Sequence, residues 1–99
     1  MITMFVTYAG NDDTPFDREH WINVHLPLVL ESWGPYGLER VGGFFPQGDG
    51  GGLIAIATCT FPDKAAMEAA LASPETARVM ADVELVTVVR PQRSFAMPL

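Results

Sequence analysis

The chain has 99 residues, of which 48% are hydrophobic, with 9 Gly, 8 Pro, a single Cys and a net charge of −6. That length fits one domain, residues 1–99, with a thin core, and no run of about 18 uncharged apolar residues offers a membrane span. The acidic balance repels phosphate and counts against nucleic-acid binding, and one cysteine supplies neither an internal disulfide nor a CxxC metal pair. The first residues, MITMFVTYAGNDD, lack the basic n-region of a signal peptide, so a cytoplasmic, reducing setting is expected. A mean hydropathy of +0.18 is high for so small a chain and points to self-association.

The first apolar run, residues 2–8 (ITMFVTY), is short and rich in β-branched and aromatic residues, which predicts a strand. AGNDD then reads as a loop. Thr14-Pro15-Phe16-Asp17 predicts a helix start, with Thr14 as cap and Pro15 in the first helical position. Wound at about 100° per residue, the next segment gathers Arg18, Trp21, Ile22, Leu28, Val29 and Ser32 around His25. His20 falls about 140° away, on the polar side, so it reads as a solvated residue and a His20/His25 metal pair fails on geometry. Pro27 is expected to kink the helix or divide it just past His25, and Gly34-Pro35 to end it.

Residues 38–45 (LERVGGFF) predict a second strand, with Gly42-Gly43 marking a bulge or a close backbone approach. The glycine-rich stretch 48–52 is a turn, and Leu53–Phe61 (LIAIATCTF) predicts a third strand. Two helices follow, KAAMEAALA and ETARVMA, divided at Ser73-Pro74. Residues 84–89 (ELVTVV) predict the fourth strand, and the apolar tail residues Phe95, Met97 and Leu99 suggest a docked end. This β-α-β-β-α-β order predicts an α+β, ferredoxin-like fold: a four-stranded antiparallel sheet with two helices on one face. Its uncovered face invites a second copy of the same sheet, hence a homodimer.

Among residues able to do chemistry, His25 leads, because an inward imidazole with a pKa near neutrality suits proton transfer. The bland alternative is a core histidine bonded to a backbone carbonyl. Trp21, Tyr36, Phe5 and Phe44 are candidates to line an apolar pocket, and each could equally be plain core. The glycine turn lacks GxxxxGK[ST] and opens no helix, so it holds no phosphate. Cys59 sits in an apolar strand and reads as buried and inert. No Ser/His/Asp constellation and no pair of carboxylates stands out, and no metal is expected.

Phe16-Asp17, His25-Leu26-Pro27-Leu28 and Gly37-Leu38, followed by Phe61-Pro62, Ala70-Leu71-Ala72-Ser73-Pro74-Glu75 and Ala81-Asp82-Val83, resemble the EthD family, named for ethyl tert-butyl ether degradation. The resemblance covers nearly the whole chain, and the H-x-P-L element after F-D is its most specific part. It implies a dimeric α/β barrel, in which two ferredoxin-like protomers pack sheet to sheet, and it favours a functional His25. Related methyl-lactone isomerases use a second histidine from the sheet, which this chain lacks in its predicted second and third strands. The expected function is a cofactor-independent enzyme of a catabolic or secondary-metabolism pathway. It would isomerise, cyclise or oxidise a small apolar carbonyl or lactone-like compound, with His25 as general acid/base. The alternative is a non-catalytic accessory protein that binds a small apolar metabolite of an oxidative degradation pathway. A haem role, with His25 as axial ligand, is disfavoured by the scarcity of basic residues.

Overall fold

The computed structural model describes residues 1–48 and 50–99; Asp49 of the predicted glycine-rich turn lies outside the described residues. Four strands, β1 (Ile2–Ala9), β2 (Arg40–Phe44), β3 (Leu53–Phe61) and β4 (Gln92–Ala96), form one antiparallel sheet in the order β2-β3-β1-β4. The first helical stretch, residues 18–33, comprises α1 (Arg18–His20), a π-helical turn (Trp21–His25) and α2 (Leu26–Trp33). After β3 come α3 (Lys64–Ala72) and α4 (Glu75–Val83). The fold is α+β and ferredoxin-like, as its element order predicts.

The pleat assigns the faces. Ile2, Met4 and Tyr8 of β1 pair with Phe61, Cys59 and Ala55 of β3, and all six are buried beneath the helices. Thr3, Phe5 and Thr7 alternate onto the opposite face, beside Thr60, Thr58 and Ile56. The interior divides into two clusters. One is built on Met4, Trp33, Phe61 and Met67, the other on Tyr8, Trp21, Ala55 and Val83.

Two sequence expectations change and a third is decided between its alternatives. The fourth strand is Gln92–Ala96, not residues 84–89, although the latter segment has the stronger β propensity. Residues 84–87 instead continue from α4 as turns, with Leu85 N–H on Asp82 O and Val86 N–H on Val83 O. Two long-range bonds then pin them across the start of the first helix: Asp17 N–H to Val86 O (2.8 Å) and Thr87 Oγ1 to Pro15 O (2.7 Å). Tertiary anchoring has overridden propensity. The short, polar sequence QRSFA suits the edge position that β4 occupies beside β1.

The first helix starts later than Thr14-Pro15 implies. Asp17 is its cap, accepting from His20 N–H at 3.0 Å, while Thr14 Oγ1 accepts from Asn11 N–H in the preceding loop.

Gly42 and Gly43 mark a close approach rather than a bulge, since the β2–β3 register runs unbroken from Arg40↔Thr60 to Phe44↔Ile56. A methyl group on Gly43 would lie 2.7 Å from Leu26 Cδ1 and 3.1 Å from Trp21 Cζ3. Gly43→Ala is therefore expected to destabilise the protein by roughly 1–3 kcal/mol through overpacking, read as a lowered urea midpoint at unchanged slope. An unchanged midpoint would show that the helix yields freely at this point.

Candidate active site

Pro27 lacks the N–H that an α-helix needs, and its ring opposes the carbonyl of Asn23, four residues back. The helix answers one turn upstream. Leu26 N–H reaches Trp21 O, five residues back, and residues 21–25 widen into a π-turn. In an α-helix, positions 20 and 25 stand about 140° apart; a π-turn brings the fifth residue back over the first. His20 and His25 flank this widened turn, and both imidazoles reach the same carboxylate on α4.

That carboxylate is Asp82. His25 Nδ1 lies 2.9 Å from its Oδ2, and His20 Nε2 lies 3.0 Å from Oδ1 and 3.2 Å from Oδ2. The arrangement runs inward from solvent: the side chains of His20, Asp82 and His25 are 22%, 11% and 5% exposed. Position 82 is brought there because α4 packs its Val79/Val83 side on the first helix. Two bonds hold the register, Trp33 Nε1–H to Thr76 Oγ1 (3.1 Å) and Arg78 Nη2 to Ser32 Oγ (2.8 Å).

Electrostatics define the protonation pattern. Burial pushes the Asp82 carboxyl up, but the hydrogen bonds and charge of the two imidazoles outweigh it and hold the group below the ordinary 3.8. Asp82 is therefore ionised at neutral pH and only accepts. His25 must donate to it from Nδ1–H, which leaves Nε2 as the unprotonated nitrogen. Burial also lowers the pKa of His25 below 6.5, against the opposing pull of Asp82, so the ring is neutral at pH 7. Nε2 makes no hydrogen bond to any of the described residues.

His25 borders a small chamber of about 30 Å³ between the helices and the sheet, lined with Tyr8, Val29, Ala57, Cys59 and Val83. That volume suits about one water molecule. It adjoins an open groove of about 850 Å³ along α4 and residues 87–91, and the two share Met80, Val83, Pro91 and Arg93 as walls. Burial raises the pKa of Tyr8, so its phenol stays protonated. The Trp21 indole N–H is buried without an aligned acceptor among the described residues. Burial likewise pushes the Cys59 thiol up to about 12, which removes it as a thiolate nucleophile.

The candidates read from the sequence separate into two groups. His25 and Trp21 are both buried on the inner side, but Trp21 does not border the His25 chamber; it packs edge-on against Tyr8, which does, at 6.0 Å between ring centroids. Tyr36 packs against the cluster of Met4 and Phe61 and does not border the His25 chamber. Phe5 and Phe44 lie on the opposite, open face of the sheet, with Phe44 55% exposed, so neither shares a cavity with His25. His20 is not a solvated bystander, because the π-turn aims it at Asp82.

Asp82 and Tyr8 were not singled out from the sequence. Asp82 carries two signals: it belongs to the Ala81-Asp82-Val83 segment that resembles the EthD family, and it is the acid within the Val79/Val83/Val86 stripe of α4 and its continuation.

The EthD domain profile matches residues 13–85, a span holding His20, His25 and Asp82 but not β4. The chain belongs to the EthD family. Comparison with curated protein sequences gives no match. Among solved structures, an EthD-like protein from Ralstonia eutropha superposes with a TM-score of 0.83 at 17% identity, over 96% of this chain and 88% of that one. SnoaB, a cofactor-independent oxygenase from Streptomyces nogalater, gives 0.67 at 12% identity, over 98% and 92%. A dimeric protein of ferredoxin-like fold from Bacteroides fragilis gives 0.56 at 9% identity, over 98% and 95%. At these identities the likeness is one of fold. It shows that this EthD domain has a ferredoxin-like fold and leaves its reaction to be argued from the site.

Proposed function

We propose that this protein is a cofactor-independent enzyme that moves a proton on a small, mostly apolar carbonyl or lactone-like compound. The observation that carries this reading is His25: buried, neutral, fixed by Asp82 through Nδ1, with Nε2 free of protein partners beside an apolar chamber. Nε2 takes a proton from a carbon next to the carbonyl, and the C–H electron pair becomes the enolate. Tyr8, held as a phenol, is placed to donate a hydrogen bond to the developing oxygen. Return of the proton to a different carbon isomerises the compound, and attack by the enolate carbon on a second carbonyl cyclises it. Oxidation is open to the same enolate only with dioxygen as the oxidant. The EthD assignment and a fold neighbour that is a cofactor-independent oxygenase support this class of chemistry.

NMR titration of the His25 ring, with and without a panel of lactones, quinols and keto compounds, tests the site. The proposal expects His25 to titrate below 6.5 and to shift with one compound class, which is then assayed for turnover. A ring that no compound moves assigns His25 to the core and leaves the protein an accessory role in a degradation pathway.

The dimer belongs to the same proposal. The open sheet face carries Phe5, Ile56 and the exposed Phe44 among Thr3, Thr7, Thr58 and Arg40, a mixed surface suited to a second copy. The Phe44→Asp variant is expected to sediment as a 10.8 kDa monomer where the parent runs as a dimer. A parent that is itself monomeric, or a variant that stays dimeric, places the interface elsewhere or removes it.

A further inference from the structure

The groove outside the His25 chamber carries charge that the rest of the molecule does not use. Of the six cationic side chains, Lys64 pairs with Glu68, Arg78 with Glu75, and Arg18 stacks over the Phe45 ring at 4.5 Å. Among the described residues, Arg40, Arg90 and Arg93 have no carboxylate partner, and two of these three line the same groove. Arg93 stands opposite Val6 in the β1–β4 register, which turns its side chain to the helix side of the sheet. There it forms a wall of both the groove and the inner chamber. Its one hydrogen bond is to Met80 Sδ at 3.4 Å, and a thioether is a weak acceptor for a guanidinium. Glu84 also lines the groove, yet makes no ion pair with either arginine. An unpaired planar fork of donors at the mouth of an apolar chamber is a receptor for a carboxylate.

We infer that Arg93, with Arg90 beside it, recognises the acid group of a small apolar carboxylate whose carbon part lies in the groove against the mouth of the His25 chamber. This deepens the proposed function and rests on it, because it names the substrate class of the same site. Met80 and Arg93 are walls of both groove and chamber, and a carboxylate that takes over the guanidinium releases the flexible Met80 side chain. The chain's net charge of −6 repels anions from afar, so recognition must be local to these two arginines.

Binding of benzoate and of benzamide, its neutral isostere, to the intact protein separates the outcomes, read by NMR shifts of the His25 ring and of the Arg93 side chain. Benzoate is expected to bind at least 10-fold more tightly than benzamide, the preference shrinking with added salt. Arg93→Gln is expected to abolish that preference without changing the weak binding of benzamide, while Arg93→Lys keeps part of it. Arg93 is exposed on an edge strand, so the urea midpoint of each variant checks that the fold persists. Equal binding of acid and amide, a preference untouched by Arg93→Gln, or no binding of benzoate, phenylacetate or cyclohexanecarboxylate would overturn the assignment. If acids bind through Arg93 but the His25 ring stays still, the anion site stands and the proton-transfer reading falls. If only neutral compounds move His25, the reverse holds.

Discussion

Replacing His25 by Gln is expected to lower turnover by about 10²- to 10⁴-fold, the usual worth of a positioned general base, with little change in substrate affinity. The glutamine amide retains a donor for Asp82, so the variant is expected to keep its fold. What it lacks is the basic ring nitrogen Nε2. In the parent protein His25 is neutral at pH 7, because burial lowers its pKa below 6.5, and Nδ1–H is committed to Asp82. The acid limb of the pH–rate profile should accordingly have its midpoint below 6.5, since protonation of Nε2 removes the base. Single-turnover assays on the compound that shifts the His25 ring provide the measurement. Full activity in His25→Gln would remove this residue from the mechanism.

Asp82→Asn carries the second large effect, on activity and on stability together. An asparagine can offer its NH₂ group to His25 Nδ1, which moves the imidazole proton to Nε2 and blocks the base. Loss of turnover comparable with that of His25→Gln is expected, with a further fall in the acid-limb midpoint because the carboxylate that raised the His25 pKa is gone. The folded protein loses two charge-assisted bonds, at 2.9 Å to His25 and 3.0 Å to His20, which is expected to cost about 1–3 kcal/mol at pH 7.

The pH dependence of stability has a definite sign. Because the folded pKa of His25 is lowered, its contribution is present above about 6.5 and is lost as pH falls below that value. Asp82, also lowered, contributes above about 3.8 and loses that contribution as pH falls through its folded value. Urea midpoints of parent and Asp82→Asn should thus differ at pH 7 and converge below pH 3.8. A gap that persists unchanged in acid would mean that Asp82 acts by packing rather than by charge.

How much of the site was visible beforehand can be judged residue by residue. The inward direction of His25 follows from the stripe it shares with Trp21, Val29 and Ser32, all buried, although Ile22 and Arg18 of the same expected stripe turn out exposed. The partnership with His20 did not follow, because helical-wheel geometry assumes 3.6 residues per turn and the chain departs from it between Trp21 and His25. Pro27 was the available sign. It predicts a kink or division just past His25, and the helix does divide there, but as a π-turn over Trp21–His25 rather than a simple break. Asp82 lies 57 residues from His25, so only the docking of α4 on the first helix reveals their contact. Phe5 and Phe44 illustrate the opposite error: bulk and aromaticity are visible in a sequence, but the face of the sheet to which they point depends on register.

By itself the sequence determined the element order, the antiparallel four-stranded sheet, the division of α3 from α4 at Ser73-Pro74 and the inward stripe centred on His25. These follow from local physics: periodicity, β-branched runs, caps and prolines act over a few residues and are written in the chain. Three things waited for the tertiary structure. The fourth strand moved from residues 84–89 to Gln92–Ala96, because hydrogen bonds from Asp17 and to Pro15 hold the more β-prone segment away from the sheet. His20 and His25 share Asp82 because residues 21–25 wind as a π-turn rather than an α-helical one. The carboxylate that orients His25, and the unpaired Arg93 at the mouth of its chamber, came together only through long-range packing.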